Sequence, residues 1–129
     1  MKAGSKTVLV TGAAGALGRV AVRGLKAAGH EVWGLDLAAC PACDRQFVGD
    51  LQDEDLVMAA CDGVEVLIHL GAVPDDAPFI SELMPANVGG LYQVLTAAQR
   101  HGVSRMVIAS SGQVVWGTQQ QGPWPISVD

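Results

Sequence analysis

Apolar positions along the chain recur with two different periods. Short apolar, β-branched runs stand at residues 6–10 (KTVLV), 31–36 (EVWGLD), 64–70 (VEVLIHL) and 104–109 (SRMVIA), and a shorter one stands at 46–48 (QFV). Each reads as a strand. The 64–70 run is apolar on both faces, as a central parallel strand should be. Between the runs the spacing becomes helical: Leu17, Val20, Ala21, Leu25 and Ala28 share one face, and Gly29 closes that helix. Residues 53–61 predict a second helix with acids in its first turn, where the dipole favours them. Residues 80–101 predict a long third helix, ended by Gly102; Pro85 either bends it or marks its real beginning. Residues 37–45 read as a surface loop, and 117–129, rich in Gln, Gly and Pro, show no element.

Strands alternating with helices over short connections imply an α/β fold, a doubly wound parallel sheet covered on both faces. The expected strand order is 3-2-1-4-5, ending after about the fifth strand, with the ligand crevice where the order reverses between strands one and four. Residues 1–117 would form this one domain and 118–129 an irregular tail. Half the residues are hydrophobic, enough for a core, and the 16 glycines suit tight strand-to-helix turns.

The chemistry clusters at the strand ends. Thr11-Gly12-Ala13-Ala14-Gly15-Ala16-Leu17-Gly18 leaves strand one and opens a helix. In that setting Gly12 permits the turn, Gly15 lets a pyrophosphate approach the backbone, and Gly18 lets the helix pack closely. The helix start, through Ala14, Ala16 and Leu17, offers free N–H groups to phosphates. No Gly-Lys-Ser/Thr comes after it, so this is not a nucleoside-triphosphate loop. A purely structural glycine turn is the alternative.

Asp36 ends strand two, 18 residues beyond Gly18. A carboxylate there accepts from both ribose hydroxyls and repels a 2′-phosphate, which favours NAD over NADP. Arg45 is the nearby cation that could weaken the preference, and a plain turn residue is the alternative reading. Asp50 could accept from the adenine amine with Leu51 packed on the ring, or it could simply cap the following helix. Leu70, Gly71 and Ala72 leave room for cofactor. His69 reads as a packing or hydrogen-bonding residue rather than a catalyst, and Asn87 as a tie between a strand and the cofactor loop through backbone bonds. Ser110 and Ser111 lie at the carboxyl end of strand five, where a hydroxyl could reach substrate or merely cap the loop.

Charge and cysteines narrow the field. The net charge is −5 and no basic stripe occurs, which argues against nucleic-acid binding. No apolar run has the length of a membrane span or the layout of a signal peptide, so the expected location is cytoplasmic, without a membrane partner. Cys40-Pro41-Ala42-Cys43 has the spacing of a redox pair or half a zinc site, but no second pair completes a metal set, and the pair does not open a helix. It reads as incidental; no metal is expected.

Together these residues resemble the extended short-chain dehydrogenase/reductase family, the NAD-dependent epimerase/dehydratase group. The matching pieces are TGAAGALG (11–18), Asp36, Asp50-Leu51, HLGA (69–72), NVGG (87–90) and ASSGQVVWG (109–117). The resemblance implies a Rossmann-type fold, NAD as cofactor, a sugar or nucleotide-sugar substrate and hydride transfer to or from a sugar hydroxyl carbon. In the family's serine/threonine region Gly112 replaces the usual hydroxyl residue and Trp116 the usual Tyr, leaving Ser111 as the catalytic candidate. The family's catalytic Tyr-x-x-x-Lys has no counterpart in the 129 residues: the single tyrosine, Tyr92, has Thr96 four residues on. Two readings stand side by side. One is the cofactor-binding part of a sugar oxidoreductase or epimerase; the other is a non-catalytic NAD-binding or regulatory module. For the module, a sheet ending at strand five leaves apolar surface and an open edge, so such a chain should self-associate or seek a partner. A thiol-redox protein is a third, remoter reading.

Overall fold

The computed structural model describes residues 4–113. Strands β1 (Thr7–Thr11), β2 (Glu31–Asp36), β3 (Arg45–Val48), β4 (Val66–His69) and β5 (Arg105–Ile108) form one parallel sheet in the order β3-β2-β1-β4-β5. Helices α1 (Ala16–Ala27), α2 (Glu54–Cys61) and α3 (Gly90–Arg100) cross between strands. A wide helix, Phe79–Gly89, runs directly into α3. The expected topology is therefore present. The 118–129 tail, and the end of the 1–117 domain including Val115 and Trp116, lie outside the described residues.

The strand period sorts side chains into two cores. Leu9, Leu35 and Leu67 join Val57, Val94 and Ala97 under α2 and α3. Val8, Val10 and Val32 join Val22 of α1 on the other face. Leu9 and Val22 are fully buried, each worth roughly 1.5–3 kcal/mol in transfer free energy. β1, flanked on both sides and covered on both faces, is the rigid centre from which the site is built.

Several boundaries move. β1 begins and ends one residue later than its apolar run, because Thr11 is in register with both Leu35 and His69. β4 and β5 are shorter than their runs at both ends. The long third helix is two helices. Pro85 lacks an N–H and would press on the carbonyl a turn earlier in an α-helix; here it sits inside wide turns that begin at Pro78, with Leu83 N donating to Pro78 O at 3.2 Å and Gly90 N to Pro85 O. Pro85 thus neither starts nor simply bends an α-helix.

The cysteine loop also departs from expectation. Cys40 and Cys43 are buried at 6% and 8% exposure rather than at the surface. Cys43 Sγ occupies the space a Cβ on Gly34 would need, so the thiols pack into the α1-side core. The rest of the loop is exposed, and its polar residue Asp44, with Gln46 just beyond it, fastens it from the surface. Asp44 accepts from Val32 N at 2.8 Å and from Lys26 Nζ, and Gln46 Oε1 accepts from Cys40 N at 2.8 Å. The Lys26 ammonium holds the Asp44 carboxyl below its usual range.

Candidate dinucleotide site

At the carboxyl ends of β1, β2 and β4 the sheet opens into a cleft of about 520 Å³, within the range of cofactor pockets. Its lining brings together, from β1 and α1, Gly12, Ala14, Gly15, Ala16, Leu17 and Gly18; from the end of β2, Asp36; after β3, Asp50 and Leu51; and after β4, Leu70, Gly71 and Ala72. Of the candidate cofactor residues, Asn87 and Ser110 are not in the wall, nor is the candidate catalytic Ser111.

The glycines are required by contact. Gly12 has φ +69°, and a Cβ there would lie 2.8 Å from the backbone of Leu70 and Gly71. A Cβ on Gly18 would collide with the Gly12 carbonyl. The turn is therefore as tight as backbone allows, and it places the start of α1 at the cleft. Gly15 occupies the cap position with no side-chain cap, its carbonyl accepting from Arg19 N at 3.0 Å. The N–H groups of Ala16, Leu17 and Gly18 precede the first intrahelical bond, and no acid stands in the first turn. That leaves unpartnered donors and the positive end of a dipole facing the cleft.

Asp36 is fixed at the rim. Its Oδ2 accepts from Ala14 N at 3.0 Å and its Oδ1 from Ala38 N at 3.1 Å. A carboxylate has about four lone-pair sites, so acceptor capacity remains for a diol. Arg45 is turned elsewhere, its guanidinium over the rings of Trp33 and Phe47 at 4.7 and 4.8 Å. The cleft wall contains no lysine or arginine among the described residues. Asp50 Oδ1 accepts from Gln52 N at 2.9 Å, and the cap of α2 is Asp53, which accepts from Leu56 N at 3.1 Å. The alternative of Asp50 as helix cap is thereby replaced. Leu51 fills a slot between Gly71 and Gly90, where an added Cβ would meet it at 2.9 and 3.0 Å.

Asn87 holds the floor from behind. Its Oδ1 accepts from Val73 N at 2.7 Å and its Nδ2 donates to Val73 O at 3.1 Å. The backbone bonds expected of Asn87 are made, but they tie the wide helix to the segment after β4 rather than a strand to the glycine loop. Ser110 and Ser111 come after β5 and are exposed; Ser111 Oγ accepts from Gln113 N at 3.1 Å. Sequence reasoning missed Leu37, Ala38, Val73 and Pro74 in the wall. Their signal is positional only: each lies just past a strand end on the cleft side. It also assigns Thr11 no bonding role, although Thr11 bonds to His69 and to the backbone after β4.

Burial pushes the Cys43 thiol up to about 12, aided by its bond with Cys40, and the Cys61 thiol to about 11. Thiols so raised are poor nucleophiles. Among the described residues no group of three or more His, Cys, Asp or Glu could hold a metal, and no helix is long and apolar enough to cross a membrane.

A parallel α/β sheet with a glycine turn, a free helix start and a rim carboxylate at its switch point defines a dinucleotide-binding protein of the Rossmann type. Known proteins narrow this: the profile of the NAD dependent epimerase/dehydratase family matches residues 8–126, and the chain belongs to that family. It is 38% identical over 112 residues to a uronate dehydrogenase of Pseudomonas syringae pv. tomato, covering 84% of this chain and 40% of that protein. It is 35% identical to an L-arabinose 1-dehydrogenase (NAD(P)(+)) of Haloferax volcanii, covering 83% and 41%. Among solved structures, a short-chain dehydrogenase/reductase superfamily protein of Agrobacterium tumefaciens with bound NAD superposes with a TM-score of 0.81 at 38% identity, covering 88% of this chain and 35% of that one. The chain thus spans about 40% of the length of the curated relatives it matches. The family's cofactor, NAD, is the one that Asp36 and the glycine turn lead us to expect.

Proposed function

We propose that this chain is the NAD-binding portion of an oxidoreductase that moves a hydride between NAD and a hydroxyl-bearing carbon of a sugar or sugar derivative. The observation that carries the cofactor reading is Asp36, anchored to the glycine turn through Ala14 N in a cleft without a basic side chain among the described residues. The donors at the start of α1 would hold the pyrophosphate, Asp36 the adenosine ribose, and Asp50 with Leu51 the adenine. Gly71 and Ala72 would leave room for the nicotinamide ribose. NAD, when bound, supplies the hydride acceptor; the protein's part is to orient it and to exclude water. The substrate class is supported by the uronate and arabinose dehydrogenases among the relatives.

Proton transfer from the substrate hydroxyl needs a base of suitable pKa. The 129 residues hold no Tyr-x-x-x-Lys, and Ser111 is occupied by Gln113 N outside the cleft. The oxidoreductase reading therefore needs a base that the described cleft wall, which does not include Ser111, does not supply. The same two observations favour a second reading, a non-catalytic NAD-binding module. Calorimetric titration with NAD⁺ and NADP⁺ tests what both readings share: selective NAD⁺ binding is expected, and equal affinity or none would remove it. Assay of the chain with NAD⁺ and free uronates or aldoses bears on the second reading alone: turnover would place a base within these residues and exclude the module.

A further inference from the structure

Thr11 is fully buried at the end of β1, and its hydroxyl stands among polar groups from β4 and the segment after it. Gly71 N and Leu70 N each donate to Thr11 Oγ1 at 3.2 Å, Leu70 N sharing its hydrogen with Thr11 O. The remaining neighbour is His69 Nδ1, at 2.7 Å. The hydroxyl has one hydrogen of its own, and a buried hydrogen of this kind needs an acceptor. Among the described residues the acceptor in reach is His69 Nδ1. Satisfying that hydrogen assigns Nδ1 as the unprotonated nitrogen and puts the ring's hydrogen on Nε2. His69 itself is buried at 6% exposure, at the β4 position paired with Thr11 in the sheet register.

We propose that His69 is a positioning residue: by accepting the Thr11 hydrogen it aims the hydroxyl's lone pairs at the backbone after β4, and so holds Leu70-Gly71 against the glycine turn that receives the cofactor. The proposal rests on the NAD-binding reading for its functional consequence, though not for its geometry. The fit it maintains is close. A Cβ on Gly12 would lie 2.8 Å from Gly71 N and from the Leu70 carbonyl carbon, and one on Gly71 would lie 3.3 Å from Gly12 N and 3.2 Å from Thr11 Oγ1. Rotation of the hydroxyl away from Gly71 would strand a buried N–H and let this segment drift into, or away from, the cleft floor. A histidine with Nδ1 protonated would do this, because Thr11 would then face donors on every side. The burial that disfavours imidazolium keeps the ring neutral and the arrangement in force.

The test has two arms on the full chain. Nitrogen-15 NMR of the free protein near neutral pH should show Nδ1 of His69 unprotonated and Nε2 protonated, and amide exchange at Gly71 should be slow. In His69→Leu, Gly71 exchange should accelerate about tenfold and NAD⁺ affinity should fall about tenfold, the loss of one buried hydrogen bond. His69→Asn, whose amide oxygen can stand where Nδ1 stood, should restore both to within about threefold. Thr11→Val should match His69→Leu, and the double variant should be no worse than either single one. A protonated Nδ1, or unchanged Gly71 exchange in His69→Leu, overturns the proposal. If the unaltered chain binds no NAD⁺, the NAD-binding function fails, while tautomer and exchange still decide the role of His69.

Discussion

The two sides of the sheet are built to different standards. On the β2 side, Val32 and Leu35 are buried, the loop beyond the strand is stitched down by Asp44 and Gln46, and even the cysteines are packed inside. At the β5 edge, Met106, Val107 and Ile108 are 43%, 50% and 44% exposed, and Phe79, Ile80 and Tyr92 are more exposed still. Part of the contrast is that of an inner strand with an edge, since Leu37 and Val48 on the β2 side are themselves 71% and 55% exposed. The adenosine side of the proposed site is still held by the described residues alone. The side where a nicotinamide and substrate would meet is bounded by apolar surface left facing water, and covering that surface would lower the free energy. We propose that a further segment of the protein or a second copy supplies that cover.

The comparison can be broken most severely at the glycine turn. Gly18→Val places a branched side chain against the Gly12 carbonyl, so NAD⁺ binding should be abolished, with unfolding at lower temperature in circular dichroism; retained affinity would mean that the turn is softer than its contacts suggest. Next comes Asp36→Ala, which removes a carboxylate from the rim and from Ala14 N. NAD⁺ affinity should fall about 10- to 100-fold and the preference over NADP⁺ should disappear in parallel titrations.

A third probe addresses the buried thiols. Alkylation of Cys40 and Cys43 by iodoacetamide should be slow in the folded chain and fast in urea, because both are covered and Cys43 is raised to about 12. Rapid labelling of the native chain, read by mass spectrometry, would show that the β2 side opens more readily than its packing implies.

A smaller effect is expected from pH. Burial lowers the His69 pKa below its ordinary 6.5, so the unfolded state takes up this proton first. Stability should be at its full value above about pH 6.5 and should fall as pH drops from there through the lower folded value, by at most ~1.4 kcal/mol per unit. Thr11 is the described polar side chain bonded to this ring, and none of the described ion pairs includes it. His69→Asn should flatten that part of the urea-midpoint profile; identical profiles would locate the acid sensitivity elsewhere. The smallest change in stability, within about 0.5 kcal/mol, is expected for Val107→Lys at the open edge. It should nevertheless reduce association in sedimentation velocity, and unchanged association would refute a second copy as the cover of that edge.

The β1 and β2 side is legible because its signals are local: an apolar run, then glycines at fixed intervals, then an acid at the end of the next run. Alternation gives a parallel, doubly wound sheet, and its order follows from the Rossmann pattern that the glycine turn brings with it. The features that escape are decided across long sequence separations. The ends of β4 and β5 depend on which neighbours pair with them, and Thr11 looks like one more motif residue until β4 lies beside it. The loop at 37–45 carries Asp and Arg and so resembles surface, yet Asp44 faces Val32 N, and Gln46 just beyond it faces Cys40 N, destinations no local pattern announces. Pro85 signals a disturbance correctly, but whether a helix kinks, starts or widens is set by its packing against the rest of the chain.

Leu51 carries a constraint of its own. The same side chain forms a wall of the cleft and occupies the gap left by the missing Cβ atoms of Gly71 and Gly90. Three segments distant in sequence thereby share a single volume. A methyl added at either glycine must be taken from position 51, and trimming Leu51 to admit a larger base would slacken the seat of α3. The width of the nucleotide pocket and the tightness of the interior are one adjustable quantity, so a change in cofactor selectivity on this side would have to arrive as a compensated pair rather than a single step.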